Sequence, residues 1–279
     1  MTINKSEGLI LKKIKWSETS NIITVYSEDF GKLKLLAKGV QRPKSSFSGG
    51  LELFSSIDFV FYKKEKKDLY ILSSSELKTT NQLLFSSPQK YGVASAGIEL
   101  LDKLISGEEK NEDIYFLSMD FLSEVQRNDE KNIKKLLWAY ALKLFSYLGY
   151  KPRFEECVIC GKKEKSLKVK STGFSFFSSE RGGLVCPDCA SGDSFYFRLN
   201  QNEALWIKKV LNTNLKKAVE YNLQNKEVKN IGNLILDFLS YHAGLGKELK
   251  SLEFLKKISS AKVPSERRKI EKEATRSDG

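Results

Sequence analysis

An α+β fold is what this sequence predicts: an N-terminal OB-fold β-barrel, then an all-α domain carrying an inserted four-cysteine zinc element. Three observations predict it. Through residues 1–80, short runs rich in β-branched and aromatic residues recur between turn signals. After Pro88 the apolar residues change from a two-residue to a helical period. All four cysteines then fall in two identical pairs, Cys157-Val-Ile-Cys160 and Cys186-Pro-Asp-Cys189.

The candidate strands of the first unit lie at residues 9–14, 21–27, 32–38, 53–62 and 69–73. In the fourth, Ile57, Phe59 and Phe61 alternate with Asp58 and Val60, which turns one face toward a core. Five short strands over about 80 residues fit a small OB-type barrel. Residues 39–50 hold Arg42, Pro43, Lys44, Phe47 and paired glycines, the composition of an exposed loop.

Helical stripes follow. Tyr91, Ala94, Ile98, Leu101 and Ile105 form one, Ile114, Leu117, Phe121 and Val125 a second, and Ile133, Leu137, Tyr140, Leu144 and Leu148 a third. The third ends at Gly149, a C-cap glycine, with Pro152 shortly after. Helices resume through Ala204, Ile207 and Leu211, then Ile231, Leu234, Ile235, Phe238 and Leu239. The expected divisions are a nucleic-acid-binding OB-fold at 1–80, helical segments at 81–156 and 198–262, a zinc-binding insert at 157–197, and a tail at 263–279. That tail is too poor in apolar residues to order itself.

The two cysteine pairs are separated by 25 residues. A two-residue spacer lets both thiolates of a knuckle face one metal, and two knuckles complete the tetrahedron that Zn²⁺ prefers, with Zn–S near ~2.3 Å. Gly161 tightens the first turn. Residues 167–170 and 174–178, with Thr172 and Gly173 at the turn, would supply the hairpin between the pairs. A redox dithiol, a disulfide pair and an iron–sulfur cluster are the weaker readings, because two knuckles on a hairpin suit none of them as well. Four protein ligands leave no open coordination position, so the metal is structural.

The chain has 279 residues and a formal net charge of +12, with 47 Lys plus Arg against 35 Asp plus Glu. The basic excess sits at the two ends, which favours a polyanionic partner, with a solvated lysine surface as the bland alternative. No run is apolar enough to span a membrane and the N-terminus lacks a secretory signal, so a cytoplasmic, nucleoid-associated protein is expected. His242 is the sole histidine and lies on the apolar stripe of its helix, the place of a packed rather than a catalytic imidazole. Paired carboxylates such as Glu108 and Glu109 read as helix-start charges, and phosphate-binding glycine loops are absent. Nothing argues for an enzyme. Basic residues close to aromatics remain: Lys12, Lys13 and Lys15 beside Trp16, and Lys38, Arg42 and Lys44 before Phe47. On an OB barrel these can form a positive groove with stacking platforms for a single strand. Lys63, Lys64, Lys66 and Lys67 read as an exposed turn.

The stretch Ala37-Lys-Gly-Val-Gln-Arg-Pro-Lys-Ser45, followed by Phe47, Gly50, Leu51 and Phe54, resembles the signature of the bacterial recombination and repair mediator family RecO. Leu148-Gly-Tyr-Lys-Pro152, Gly182-Gly-Leu-Val-Cys186 and Leu249-Lys-Ser251 with Phe254 and Leu255 extend the resemblance to about residue 260. It implies an N-terminal OB-fold, a helical domain with an inserted zinc element, binding of single- and double-stranded DNA, and annealing of complementary strands. It also implies partnership with RecR and single-stranded DNA-binding protein in loading RecA. Lys38, Arg42 and Lys44 match the family's basic loop, whereas Gln41 departs from a position that is often basic. Two other readings stay open: an RNA-binding zinc-ribbon factor in translation or RNA processing, and a protein scaffold whose charge is incidental.

Overall fold

The structure, a computed structural model, describes residues 2–40, 47, 51–64, 67–163, 174–190, 195–245 and 249–261. Its first unit is built from β1 (Thr2–Lys15), β2 (Asn21–Ser27), β3 (Gly31–Ala37), β4 (Ser56–Lys63) and β5 (Tyr70–Thr79). They hydrogen-bond in the order β1-β2-β3-β5-β4, and β4 returns to β1. The long first strand makes that return possible. Its N-terminal half pairs with β4, from Thr2 opposite Lys63 to Leu9 opposite Ser56, while its C-terminal half pairs with β2 through Lys15 opposite Asn21. Between Ile10 and Lys12 the register shifts, and a bulge of this kind bends a strand and sharpens its twist. Gly8 stands where both partners meet, and a β-carbon there would come within 2.8 Å of the Phe59 ring.

Alternation sends Ile23 and Val25, Leu33 and Leu35, and Ile57, Phe59 and Phe61 into one buried cluster. Leu9, Leu11 and Tyr26 point the other way, into the core of the helical part, and the Tyr26 hydroxyl donates to the Asn111 carbonyl at 3.4 Å. The helices are α1 (Pro88–Leu104), α2 (Glu112–Arg127), α3 (Glu130–Tyr147), α4 (Gln201–Asn212), α5 (Asn225–Ala243) and α6 (Lys250–Ala261). Their starts are written in the sequence: Ser87 and Asn111 cap α1 and α2, and the pair Asn200 and Glu203 forms a capping box on α4. Gly149, at φ 92°, terminates α3. The third helix is central, packing against α1, α2, α4 and α5.

The seam between the two parts is specific. Gly31 has φ 65°, and a β-carbon on it would lie 2.4 Å from the Glu109 carbonyl oxygen. Beside it the Lys32 N–H donates to the Gly107 carbonyl at 3.2 Å. Glu108 accepts from Lys63 and from the Tyr70 hydroxyl at 2.7 and 2.6 Å. Tyr115 donates to Glu7 at 2.7 Å.

The expected fold class, an OB-fold β-barrel followed by an all-α domain with an inserted four-cysteine element, requires correction in that insert; the five N-terminal strands close on one another. The N-terminal sheet is mixed, with β3 and β5 running parallel over three residue pairs from Leu35 with Tyr70 to Ala37 with Leu72. The insert carries more than one hairpin. It contains a second sheet of β6 (Phe174–Ser178), β7 (Gly183–Val185) and β8 (Phe197–Asn200), in the order β7-β6-β8. Both described neighbours of β6 come from downstream. The hairpin partner expected at 167–170, its turn at Thr172 and Gly173, and the tail at 263–279 lie outside the described residues.

Candidate metal centre and nucleic-acid face

Each cysteine knuckle is closed by its own backbone. In the first, the Gly161 N–H donates to the Cys157 carbonyl at 2.9 Å and the Cys157 N–H to the Lys162 carbonyl at 2.9 Å. Gly161 takes φ 71°, the left-handed conformation this turn needs. In the second, the N–H groups of Cys189 and Ala190 both donate to the Cys186 carbonyl at 3.0 Å. A parallel bridge aligns the two knuckles: the Arg153 N–H donates to the Gly182 carbonyl at 2.9 Å, and Leu184 and Val158 complete the ladder at 2.8 Å each.

The four Sγ atoms consequently lie within 4.8 Å of one another, and those of Cys160 and Cys186 are 3.8 Å apart. Sulfurs on a tetrahedral zinc stand roughly 3.8 Å apart when each Zn–S bond is ~2.3 Å. The separation is far from the S–S bond of ~2.05 Å that a disulfide requires. Cys157 and Cys186 are buried, Cys189 is half-buried and Cys160 faces solvent. Burial opposes ionisation of Cys157, but N–H groups of Cys160, Cys186 and Ile159 bring its thiol down to about 6. Hydrogen bonds with Cys186 and Cys160 push the Cys189 thiol up to about 12. One thiolate is thus favoured and its neighbours resist, a conflict that a divalent cation removes. The donor set fits a structural Zn²⁺, which would cross-link the knuckles and leave no coordination position open for catalysis.

The predicted basic residues do not form one cluster. Lys12, Thr24 and Lys34 stand opposite one another across β1, β2 and β3, on the side facing away from the inner cluster. Alongside runs an apolar row, Ile14 opposite Ile22 and Ile22 opposite Leu36, with Ile14 45% exposed and Trp16 beyond it 63% exposed. Lys13 is in register with the buried Ile23 and Leu35, so it leaves the strand on the opposite side and pairs with Glu52 at 2.8 Å. Lys15 shares that side. Lys38 is exposed just past β3, while Arg42 and Lys44 lie outside the described residues. Lys34 was not among the predicted contacts. Its signal is the alternation of Lys32, Leu33, Lys34 and Leu35, which places both lysines outside.

A second feature escaped the sequence reading. Between α3, α5 and α6 lies a groove of about 600 Å³, floored by Leu137, Trp138, Val228 and Leu255 and rimmed by Lys131, Lys229 and Lys256. Gly232 makes room for the Trp138 ring, which a β-carbon would approach to 2.6 Å. Its residues come from three distant segments, so no local motif marks it. No helix among the described residues is long and apolar enough to cross a membrane.

Two family models match the chain, Recombination protein O N terminal over residues 1–81 and Recombination protein O C terminal over residues 86–253. The DNA repair protein RecO of Caldanaerobacter subterraneus subsp. tengcongensis is 30% identical over 260 residues, covering 93% of this chain and 100% of that protein. The protein of the same name from Desulfatibacillum aliphaticivorans is 30% identical over 258 residues, covering 91% and 96%. That of a Thermoanaerobacter species is 28% identical over 262 residues, covering 93% and 100%.

Proposed function

We propose, from the premise that this chain belongs to the Recombination protein O family, that it is a non-catalytic DNA recombination mediator that anneals complementary strands and helps load recombinase onto coated single strands. The observation that carries the site is the outer row Lys12, Thr24 and Lys34 with the apolar row beside it. Two cations, on the strands either side of Thr24, can hold phosphates of one backbone, while Ile14, Ile22, Leu36 and the ring of Trp16 offer apolar surface to unstacked bases. Annealing makes and breaks no covalent bond. It needs two polyanions neutralised and held in register, and a surface with no catalytic constellation is sufficient for that.

Family membership implies DNA, RecR and single-stranded DNA-binding protein as partners. We assign the lysine-rimmed groove between α3, α5 and α6 to a protein partner whose binding segment is apolar and flanked by carboxylates, since floor and rim match that chemistry. For the domain divisions we propose residues 1–80 as the nucleic-acid-binding unit, 157–197 as the zinc insert and 81–156 with 198–262 as the helical body. Lys12, Lys13, Lys15, Lys38, Arg42 and Lys44 remain proposed DNA contacts, joined by Lys34.

The test is strand annealing by the purified, zinc-loaded chain with two labelled complementary oligonucleotides, at low and at moderate salt. Acceleration that fades as salt rises is expected, and no acceleration at low salt would count decisively against the reading. Competition by RNA of the same sequence, if it displaced DNA at equal concentration, would favour an RNA-binding role instead.

A further inference from the structure

Annealing requires two strands, and the outer row of β1, β2 and β3 accommodates one. We infer that a second single-stranded nucleic-acid site lies around His242, where the end of α3, the turn before β7 and the end of α5 meet; this inference rests on the mediator reading above. Two exposed tyrosines converge there, Tyr150 and Tyr241, at 44% and 58% exposure, each with its ring against His242. Large apolar side chains left this open to water mark a surface with a partner.

The neighbourhood is held together by contacts. Tyr150 stacks on Phe145 with ring centroids 4.7 Å apart, and the His242 ring lies 5.8 Å from Tyr150 and 5.1 Å from Tyr241. Nε2 of His242 is 2.8 Å from the Ser179 carbonyl oxygen, which pins the turn before β7 against α5. Tyr150 is therefore a ring backed by the core on one face, and Tyr241 is an open ring on the other side of the imidazole. Rigid aromatic faces of this kind stack bases without regard to sequence.

Four cations belong to the segments that meet here. Lys151 follows Tyr150 in the chain, Lys143 lies one turn before the end of α3, and Arg153 is bonded through its backbone to Gly182, which follows Arg181 and lies beside the His242 ring. None of the four makes an ion pair within 4.0 Å among the described residues, although Glu155 and Glu180 adjoin them in sequence. Burial, then the charge of Lys151, lowers the Lys143 pKa, so the two lysines are neighbours. Rings with unpaired cations beside them are the two components of a single-strand site. Arg153 and Arg181 reach this place through the same backbone ladder that aligns the cysteine knuckles, so the zinc element positions part of the site.

The experiment uses the full zinc-loaded chain with two exposed changes, Tyr241→Leu and Lys151→Glu, together. Affinity for one labelled strand is read by anisotropy, and the annealing rate by energy transfer between two labelled strands. First-strand affinity should change less than twofold while annealing slows roughly tenfold, as expected when about one base loses its stacking partner and one phosphate its cation. Tyr241→Phe, which keeps the ring, should anneal at the unaltered rate. Annealing unchanged in the double variant would overturn the inference. So would a loss of first-strand affinity equal to the loss of annealing, which would make this the primary site. If Tyr241→Phe slowed annealing as much as Tyr241→Leu, stacking would be refuted as its basis. An unaltered chain that does not anneal at all would instead remove the mediator reading itself.

Discussion

At Gly183 a β-carbon would stand 2.4 Å from Val158 Cγ1 and 2.8 Å from the Arg153 carbonyl oxygen, so the ladder joining the knuckles tolerates no side chain there. Gly183→Ala should cost about 1–3 kcal/mol by overpacking, which thermal unfolding would register as roughly 2–12 °C in Tm. Glu7 offers a pH test. Burial opposes its ionisation, but hydrogen bonds from Lys78, Ser56 and Tyr115 win and hold its pKa below the ordinary carboxylate value. A carboxyl depressed in the folded state adds stability above its unfolded pKa and loses it as pH falls through the folded one. Glu7→Gln should therefore be less stable than the unaltered chain at neutral pH, with the gap closing under acid denaturation below about pH 4.5; a gap constant from pH 7 to pH 3 would refute the assignment. At this scale much was legible. Ile57, Phe59 and Phe61 are all buried, as period-two alternation required. What the sequence did not show is that Lys12 leaves β1 on one side and Lys13 and Lys15 on the other, because adjacent strand residues point to opposite sides and the bulge at Leu11 resets which side is which.

The zinc element shows where local reading stops. The spacing of Cys157, Cys160, Cys186 and Cys189 announced one metal centre, since two knuckles need only local backbone. The sheet that carries them was misread, because β6 has partners at 183–185 and 197–200, and a three-residue strand such as β7 is too short to carry a periodic signal. His242 fitted its helical stripe in sequence; its contact with the Ser179 carbonyl depends on a segment 63 residues away. Removing the metal with a chelator, or replacing Cys157 and Cys160 by Ser, should remove more than about 4 kcal/mol, or roughly 8–16 °C in Tm. Single-strand affinity at 20 °C should survive, because Lys12, Lys34 and Lys38 belong to another unit. Loss of that affinity in protein still folded by circular dichroism would show that the zinc element holds the first strand itself.

Across the whole molecule, charge gave the partner class, while the fold decided where on the surface it acts. The +12 net charge could not separate a binding face from a solvated one; register across three strands lines up Lys12 with Lys34, which supports the proposed face. Substituting Lys12, Lys34 and Lys38 by Ala together should flatten the slope of log affinity for single strands against log salt by about 2, at roughly 0.7 for each phosphate left without its cation. A slope unchanged within 0.5 would place the first strand elsewhere. The groove between α3, α5 and α6 was invisible in sequence for the opposite reason: each of its walls looks like an ordinary amphipathic helix until the third arrives.

The seam at Gly31, Glu108 and Glu109 has a further meaning. Backbone and side-chain bonds interlock there, Lys32 with Gly107 and Glu108 with Lys63 and Tyr70, and tie the N-terminal unit to the helical body. A body of that kind cannot bring two strands together by closing on them. On the proposed reading it acts as a fixed jig, along which strands find each other by sliding, and the spacing between the two proposed faces, set once by the chain, governs which alignments of two DNA strands it promotes.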